Sequence, residues 1–222
     1  MAHYKTKCQW LFVFVLFFFV CCLFIYESVV QAAVATIDST VNTSGGSHLG
    51  STPATVFISD QTGYTFYRDA DGTCVYRKTT DGGASWGSSV TVDSQTDCIG
   101  GGIWYDRWTP GDSTGTYIHI VTFDSGNSDL WYTRLDTNSD TLTATVNATG
   151  ANQGGLFTIG ANFPSVTKGT DGVLYMGIQD GTDSFVIKSI DGGVNWTEAG
   201  TNPFDLADDF LGLRGGDFLV LA

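Results

Sequence analysis

Proline, glutamate and positive charge are all scarce in this sequence of 222 residues. It has four prolines, two glutamates (Glu27 and Glu198) and ten lysines and arginines together, against 23 acidic residues. The net charge of −13 argues against nucleic acid or an anionic lipid surface as a partner. No stretch beyond the N-terminal apolar segment carries a helical period. No Cys/His set has zinc-ligand spacing, and the acidic "DADGT" loop lacks the ligand order of an EF-hand, so the sequence calls for neither metal nor cofactor. What is abundant is glycine, 28 residues, together with an aromatic fraction of 14%, too much apolar surface for a disordered chain.

Three of the five cysteines, Cys8, Cys21 and Cys22, lie in or beside the apolar run "WLFVFVLFFFVCCLFIY" from Trp10 to Tyr26. Lys5 and Lys7 precede that run, and Ala33 and Ala35 follow in small-x-small spacing, so residues 1–35 read as a secretory signal peptide cleaved after Ala35. The alternative is a retained N-terminal membrane anchor, because the run is nearly long enough for a hydrocarbon core of about 30 Å. Either way the remainder is exported, to the medium or the cell surface. In that oxidising setting Cys74 and Cys98 are expected to form a structural disulfide. Removal of residues 1–35 takes two lysines and one glutamate and leaves the chain one charge more negative. Asn42, Asn147 and Asn195 stand in N-x-S/T sequons.

Residues 36–54 are rich in Ser, Thr and Gly and read as a linker. From Thr55 the pattern becomes short β-rich runs separated by Gly and Asp, such as "TVFISD", "YTFYR", "YIHIVTF", "LWYTRL" and "FVIKSI". The folded part, residues 55–222, is therefore expected to be all-β. "TTDGGASW", Thr79 to Trp86, returns as "SIDGGVNW", Ser189 to Trp196, 110 residues later, and Asp136 of "TRLDTNSDTL" marks a decayed copy midway. Self-similarity at this period predicts repeated four-stranded sheets. Three such units are expected, with first strands at Thr55–Asp60, Ile103–Thr109 and Pro164–Lys168, and a fourth opening at "GDFLVLA". An incomplete set of sheets leaves unpaired edges, which predicts either a continuation of the chain or self-association.

The hydroxyl-x-Asp-x-Gly-x-x-Trp spacing, Thr79, Asp81, Gly83, Trp86 and again Ser189, Asp191, Gly193, Trp196, resembles the Asp box, or BNR repeat, of the sialidase-like β-propeller superfamily. The resemblance implies a β-propeller, six-bladed when complete, with each box a structural hairpin turn between the third and fourth strands of a blade. Positive-φ glycines would make the turn, and the Asp and hydroxyl side chains would hold it closed. The family places these turns on the face opposite the active-site mouth, which directs the search for chemistry to the other rim.

On that rim the expected loops open with Asp69, Asp124 and Asp180, residues that also suit simple turns. "IWYDRWTPGD" stands apart from the repeat. Tyr105, Asp106 and Arg107, with Arg68 and Asp69, are the candidate catalytic residues, and Trp104 and Trp108 are the candidate sugar-stacking residues. The opposing reading is an aromatic core strand with a buried Asp–Arg pair. The resemblance implies a glycan as partner, with exo-sialidase or related glycoside hydrolase activity in the complete protein. Against this, the family's arginine-containing "RIP" motif is absent, residues 36–222 contain five arginines, and Glu198 follows the second box on the wrong face. The second functional reading is a non-catalytic propeller that binds carbohydrate or protein.

Overall fold

The computed structural model describes residues 34–40, 54–93, 95, 98–124, 126–127, 129–149, 164–180 and 183–199. The expected signal or anchor to residue 33, the linker from 41 to 53 and the expected fourth unit after residue 199 lie outside them. The chain divides into two compact units, Met1–Val34 and Ala35–Ala222, and all described strands belong to the second. No helix among the described residues is long and apolar enough to cross a membrane.

Three antiparallel sheets make up this unit. Sheet 1 holds β1 (Thr55–Phe57), β2 (Gly63–Arg68), β3 (Cys74–Thr79) and β4 (Val90–Thr91) in sequence order. Sheet 2 holds β5 (Cys98–Tyr105), β6 (Tyr117–Asp124), β7 (Asp129–Asp136) and β8 (Thr141–Leu142), and β9 (Val146–Asn147) continues the fourth position by pairing with β7. Sheet 3 holds β10 (Ser165–Lys168), β11 (Leu174–Asp180), β12 (Asp183–Ser189) and β13 (Thr197–Glu198). The all-β fold and the three units of the repeat are thus present. A closed ring is not seen among the described residues.

Side-chain alternation explains how the sheets stack. In β6, Ile118 and Ile120 face a core shared with Tyr64, Phe66 and Tyr76 of sheet 1, whereas Val121 and Phe123 face a core shared with Val166, Met176 and Ile187 of sheet 3. Sheet 2 is therefore covered on both faces, and "YIHIVTFD" is buried almost throughout instead of alternating. Each fully buried aliphatic side chain in such a layer contributes about 1.5–3 kcal/mol.

The Cys74–Cys98 disulfide joins the start of β3 to the start of β5 and so fastens sheet 1 to sheet 2. Before sheet 1, Asp38 accepts hydrogen bonds from Tyr67 Oη and Arg77 Nη2, both 2.8 Å, so this part of the expected linker is fixed to the sheet.

The first strand of the second unit departs from expectation. It runs from Cys98 to Tyr105 and stops before Asp106, where residues 106–108 form a single 3₁₀ turn. Gly101 permits the early start, because a Cβ there would run into the Val121 carbonyl of β6.

Antiparallel order puts the first-to-second and third-to-fourth connections of each sheet on one edge, and the second-to-third connection on the other. The Asp-containing turns at 80–87 and 190–196 lie on the first edge, here called the turn edge. Thr137 N–H and Oγ1 both donate to Thr116 O, at 3.0 and 2.7 Å, which ties the β5–β6 loop to the β7–β8 turn on that same edge.

Candidate functional site

The two glycine-rich turns share one hydrogen-bond pattern. Thr79 Oγ1 donates to Asp81 Oδ1 (2.7 Å) and accepts from Gly83 N–H (2.9 Å), while Ser85 N–H donates to Asp81 Oδ1 (2.9 Å). Ser189 Oγ donates to Asp191 Oδ1 (2.8 Å) and accepts from Gly193 N–H (2.8 Å), while Asn195 N–H donates to Asp191 Oδ1 (2.9 Å). Gly82, Gly83, Gly192 and Gly193 have φ between 71° and 94°, the left-handed region open to glycine. Hydrogen bonds from the turns hold the Asp81 and Asp191 carboxyls at about 2, for Asp81 first those from the Ser85 hydroxyl and amide, for Asp191 those from the Asn195 amide and side chain. At the decayed copy, Asp136 Oδ1 accepts only from Asn138 N–H (3.0 Å).

The candidate residues separate. Arg68 and Asp69 stand on the edge opposite the turns. Arg68 Nε is buried without a hydrogen-bond partner among the described residues, and Asp69 Oδ1 is occupied by its own turn, accepting from Asp71 and Thr73 N–H at 3.0 and 2.9 Å. Asp124 closes the equivalent turn in sheet 2 through Gly126 N–H (2.9 Å).

Trp104 through Trp108 instead reach the turn edge, because β5 has crossed the sheet by then. Their expected position on the opposite rim is therefore corrected by strand direction. Arg107 does not pair with Asp106 either: it is exposed, donates from Nε to Gly115 O (3.1 Å) and lies over the Tyr105 ring (5.8 Å). Trp104 and Trp108 pack edge to face (5.8 Å) and are half-buried against the two cores, with Trp104 Nε1 donating to Thr109 Oγ1 (2.9 Å).

Asp106 has different partners, all distant in sequence. It is 2% exposed, and its Oδ1 accepts from Lys168 Nζ (2.7 Å) and meets His119 Nε2 (3.0 Å), while Oδ2 accepts from Tyr117 N–H (2.9 Å). Lys168 also reaches Asp112 Oδ2 (3.0 Å), and His119 Nδ1 lies 2.7 Å from the Tyr132 hydroxyl. A neutral His119 with the proton on Nε2 satisfies both contacts, donating to Asp106 and accepting from Tyr132.

Burial raises the Asp106 carboxyl, but the hydrogen bonds from His119 and Lys168 outweigh it and hold the group well below the usual carboxylate range. Burial lowers His119 despite the attraction of Asp106. Burial also acts to lower Lys168, which Asp106 and Asp112 nevertheless raise. The chain of groups is thus a satisfied polar network, with an ionised acid and a neutral imidazole. Sequence reasoning singled out Asp106 but missed His119, Lys168, Asp112 and Tyr132, since no local spacing joins residues on β6, β7, β10 and a loop.

Lys168 and Asp112 bring this network to the surface. The loops Thr109–Asp112 and Lys168–Gly172, one from each neighbouring sheet, border an open cleft of about 470 Å³. Thr109 Oγ1 spans the two by donating to Lys168 O (3.0 Å). Asp112, Lys168, Thr170 and Asp171 are among its lining residues, and at Gly111 and Gly172 a Cβ would meet nothing within 4 Å. Such a cleft offers donors and acceptors in close alternation to a small polar ligand. No metal-binding group of three or more His, Cys, Asp or Glu occurs among the described residues.

No family model matches the chain, and no curated protein matches it. Among solved structures, it is similar to a polysaccharide lyase PL25 ulvan lyase bound to -[GlcA(1-4)Rha3S]-, at 13% identity and a TM-score of 0.44, over 72% of this chain and 40% of that one. A second structure of a PL25 ulvan lyase aligns at 12% identity and a TM-score of 0.43, over 69% of this chain and 40% of that one. A protein of unknown function from Dyadobacter fermentans aligns at 15% identity and a TM-score of 0.41, over 63% of this chain and 47% of that one. The chain thus spans less than half the length of these three proteins. Likeness at this level assigns neither a fold nor an activity to it.

Proposed function

We propose that the chain is an exported unit of an Asp-box propeller that binds glycans at its turn edge without cleaving them. The cleft between Thr109–Asp112 and Lys168–Gly172 carries this reading. It is of ligand size, and its lining includes Asp112, Lys168, Thr170 and Asp171, residue types suited to sugar hydroxyls. Its two carboxylates beside one lysine leave it acidic, which disfavours sialosides and other anionic sugars and favours neutral ones. The shared hydrogen-bond pattern of the two turns and the stacking of three four-position sheets support the propeller. Export rests on the apolar N-terminal run and the disulfide.

The network behind the cleft favours binding over hydrolysis. A glycosidase of the usual kind needs one carboxylic acid kept protonated near neutral pH beside a second, ionised carboxylate. Asp106 is ionised and ion-paired, Asp112 is lowered first by its bond from Lys168, and the Tyr132 hydroxyl is buried and raised by that burial. The direct test is a panel of neutral and sialylated glycans presented to the purified chain, with fluorogenic glycosides assayed in parallel. Retention of neutral glycans, lost in Lys168→Ala, and no turnover are expected. Sialoside hydrolysis, or retention unchanged by Lys168→Ala, would refute the proposal.

A further inference from the structure

Successive sheets are joined on the turn edge by a contact that occurs twice and that, among the described residues, is left open at both ends of the stack. In the first instance, the β7–β8 turn of sheet 2 presents Asp140, in the left-handed region at φ 54°, to sheet 1. Tyr64 Oη donates to Asp140 Oδ1 (2.6 Å) and Lys78 Nζ to Asp140 Oδ2 (2.5 Å). In the second, the 190–196 turn of sheet 3 presents the Gly192 carbonyl to sheet 2, where Arg134 Nη1 donates to it at 3.4 Å and Tyr132 Oη lies at the same distance. Trp196, 1% exposed, closes that contact with its ring 5.2 Å from Tyr132.

A cation recurs on the third strand of each sheet within three residue pairs of the turn edge. Lys78 stands opposite Tyr64 across β2–β3, and Arg134 opposite His119 across β6–β7. Lys188 stands opposite Tyr175 across β11–β12, on the face of sheet 3 turned away from the Leu174, Met176 and Ile187 core. Neither the Lys188 ammonium nor the Tyr175 hydroxyl has a partner among the described residues. Among the described residues, the receiving pair of sheet 3 therefore receives nothing.

Sheet 1 carries the complementary part. Its Thr79–Trp86 turn shares the hydroxyl- and Asp-centred hydrogen bonds of the Ser189–Trp196 turn, yet Trp86 is half-buried where Trp196 is buried, and it leans on Phe57 (6.3 Å), itself 46% exposed. Val90 beside it is 42% exposed. The Asp81 carboxylate on this turn is exposed and ionised, opposite in charge to Lys188.

We propose that the Thr79–Trp86 turn of one copy seats against Lys188 and Tyr175 of a second copy, so that chains associate head to tail by repeating the contact already made between their own sheets. The interface is heterologous, with each copy contributing a different surface. This is independent of whether the cleft binds glycan.

Two single variants and their mixture test it by sedimentation of the full chain across a concentration series. Lys188→Glu removes the receiving surface and Trp86→Ala the inserting one. The wild type is expected to associate, and each variant to do so roughly tenfold or more weakly. An equimolar mixture should form a dimer and nothing larger, because one intact turn and one intact receiving pair remain between the two variants. Unchanged association of either variant, or a mixture no more associated than its parts, would overturn the proposal. So would a monomeric wild type, and protection of Trp86 from an aqueous quencher in that monomer would assign the turn to another segment of the same chain.

Discussion

Gly83 and Gly193 occupy the same place in two copies of one turn, and the structure makes their substitution unequal. At both, φ is positive, 90° and 94°, and alanine there costs about 1–2 kcal/mol from backbone strain alone. At Gly83 the nearest atom to an added methyl is Phe57 Cζ at 3.6 Å, an ordinary contact. At Gly193 the methyl would overlap the buried Tyr132 ring. Gly193→Ala is therefore expected to cost about 3 kcal/mol or more, and Gly83→Ala about 1–2, as read by urea unfolding of the two variants. Equal losses would show that the packing of the third sheet's turn on Tyr132 is wrong.

Asp106 and His119 set a pH dependence with a definite sign. The folded state lowers His119 below its ordinary value of 6.5, so the unfolded chain takes up this proton first and stability falls as the pH drops below about 6.5. Asp106 is also lowered in the fold, so its contribution is present above the unfolded value of 3.8 and is lost as the pH falls further. Thermal unfolding from pH 7 to pH 4 should show a falling midpoint, with His119→Gln flattening the upper part of the curve. Asp106→Asn, which leaves Lys168 with Asp112 as its remaining carboxylate, is expected to cost about 1–3 kcal/mol near pH 7.

Among elements, the Cys74–Cys98 bond fastens two sheets that otherwise meet through packed side chains and a backbone hydrogen bond from Cys98 N–H to Gly72 O. It closes a loop with a sequence separation of 24 residues, for which chain entropy gives about 3 kcal/mol. Replacing both cysteines by serine should lower the midpoint of urea unfolding accordingly, and no loss would show that the intersheet core alone fixes sheet 1 on sheet 2.

The strands themselves were largely legible. "YIHIVTF" and "LWYTRL" are apolar, β-branched and bounded by turn residues, and the structure makes them β6 and β7 with bounds moved by one residue. β5 was misjudged because "CIGGGI" looks like loop, while the pairing that makes it a strand depends on β6 approaching Gly101. That shift of register moved "WYDRW" from one edge of the sheet to the other. The network around Asp106 was not legible at all, since His119 sits in an apolar run and Lys168 ends one, and only the stacking of sheets 2 and 3 brings them together.

At the scale of the whole molecule, an acidic, all-β chain carries a polar cleft between two of its sheets. The most direct test is to titrate the isotopically labelled chain with a neutral oligosaccharide chosen from the glycan panel and to map the backbone amides that shift. Shifts concentrated at Thr109–Asp112 and Lys168–Gly172, and abolished by Lys168→Ala, are expected. Shifts confined to the opposite edge, around Asp69–Thr73 and Asp124–Asn127, or no shift with any neutral sugar, would contradict the assignment.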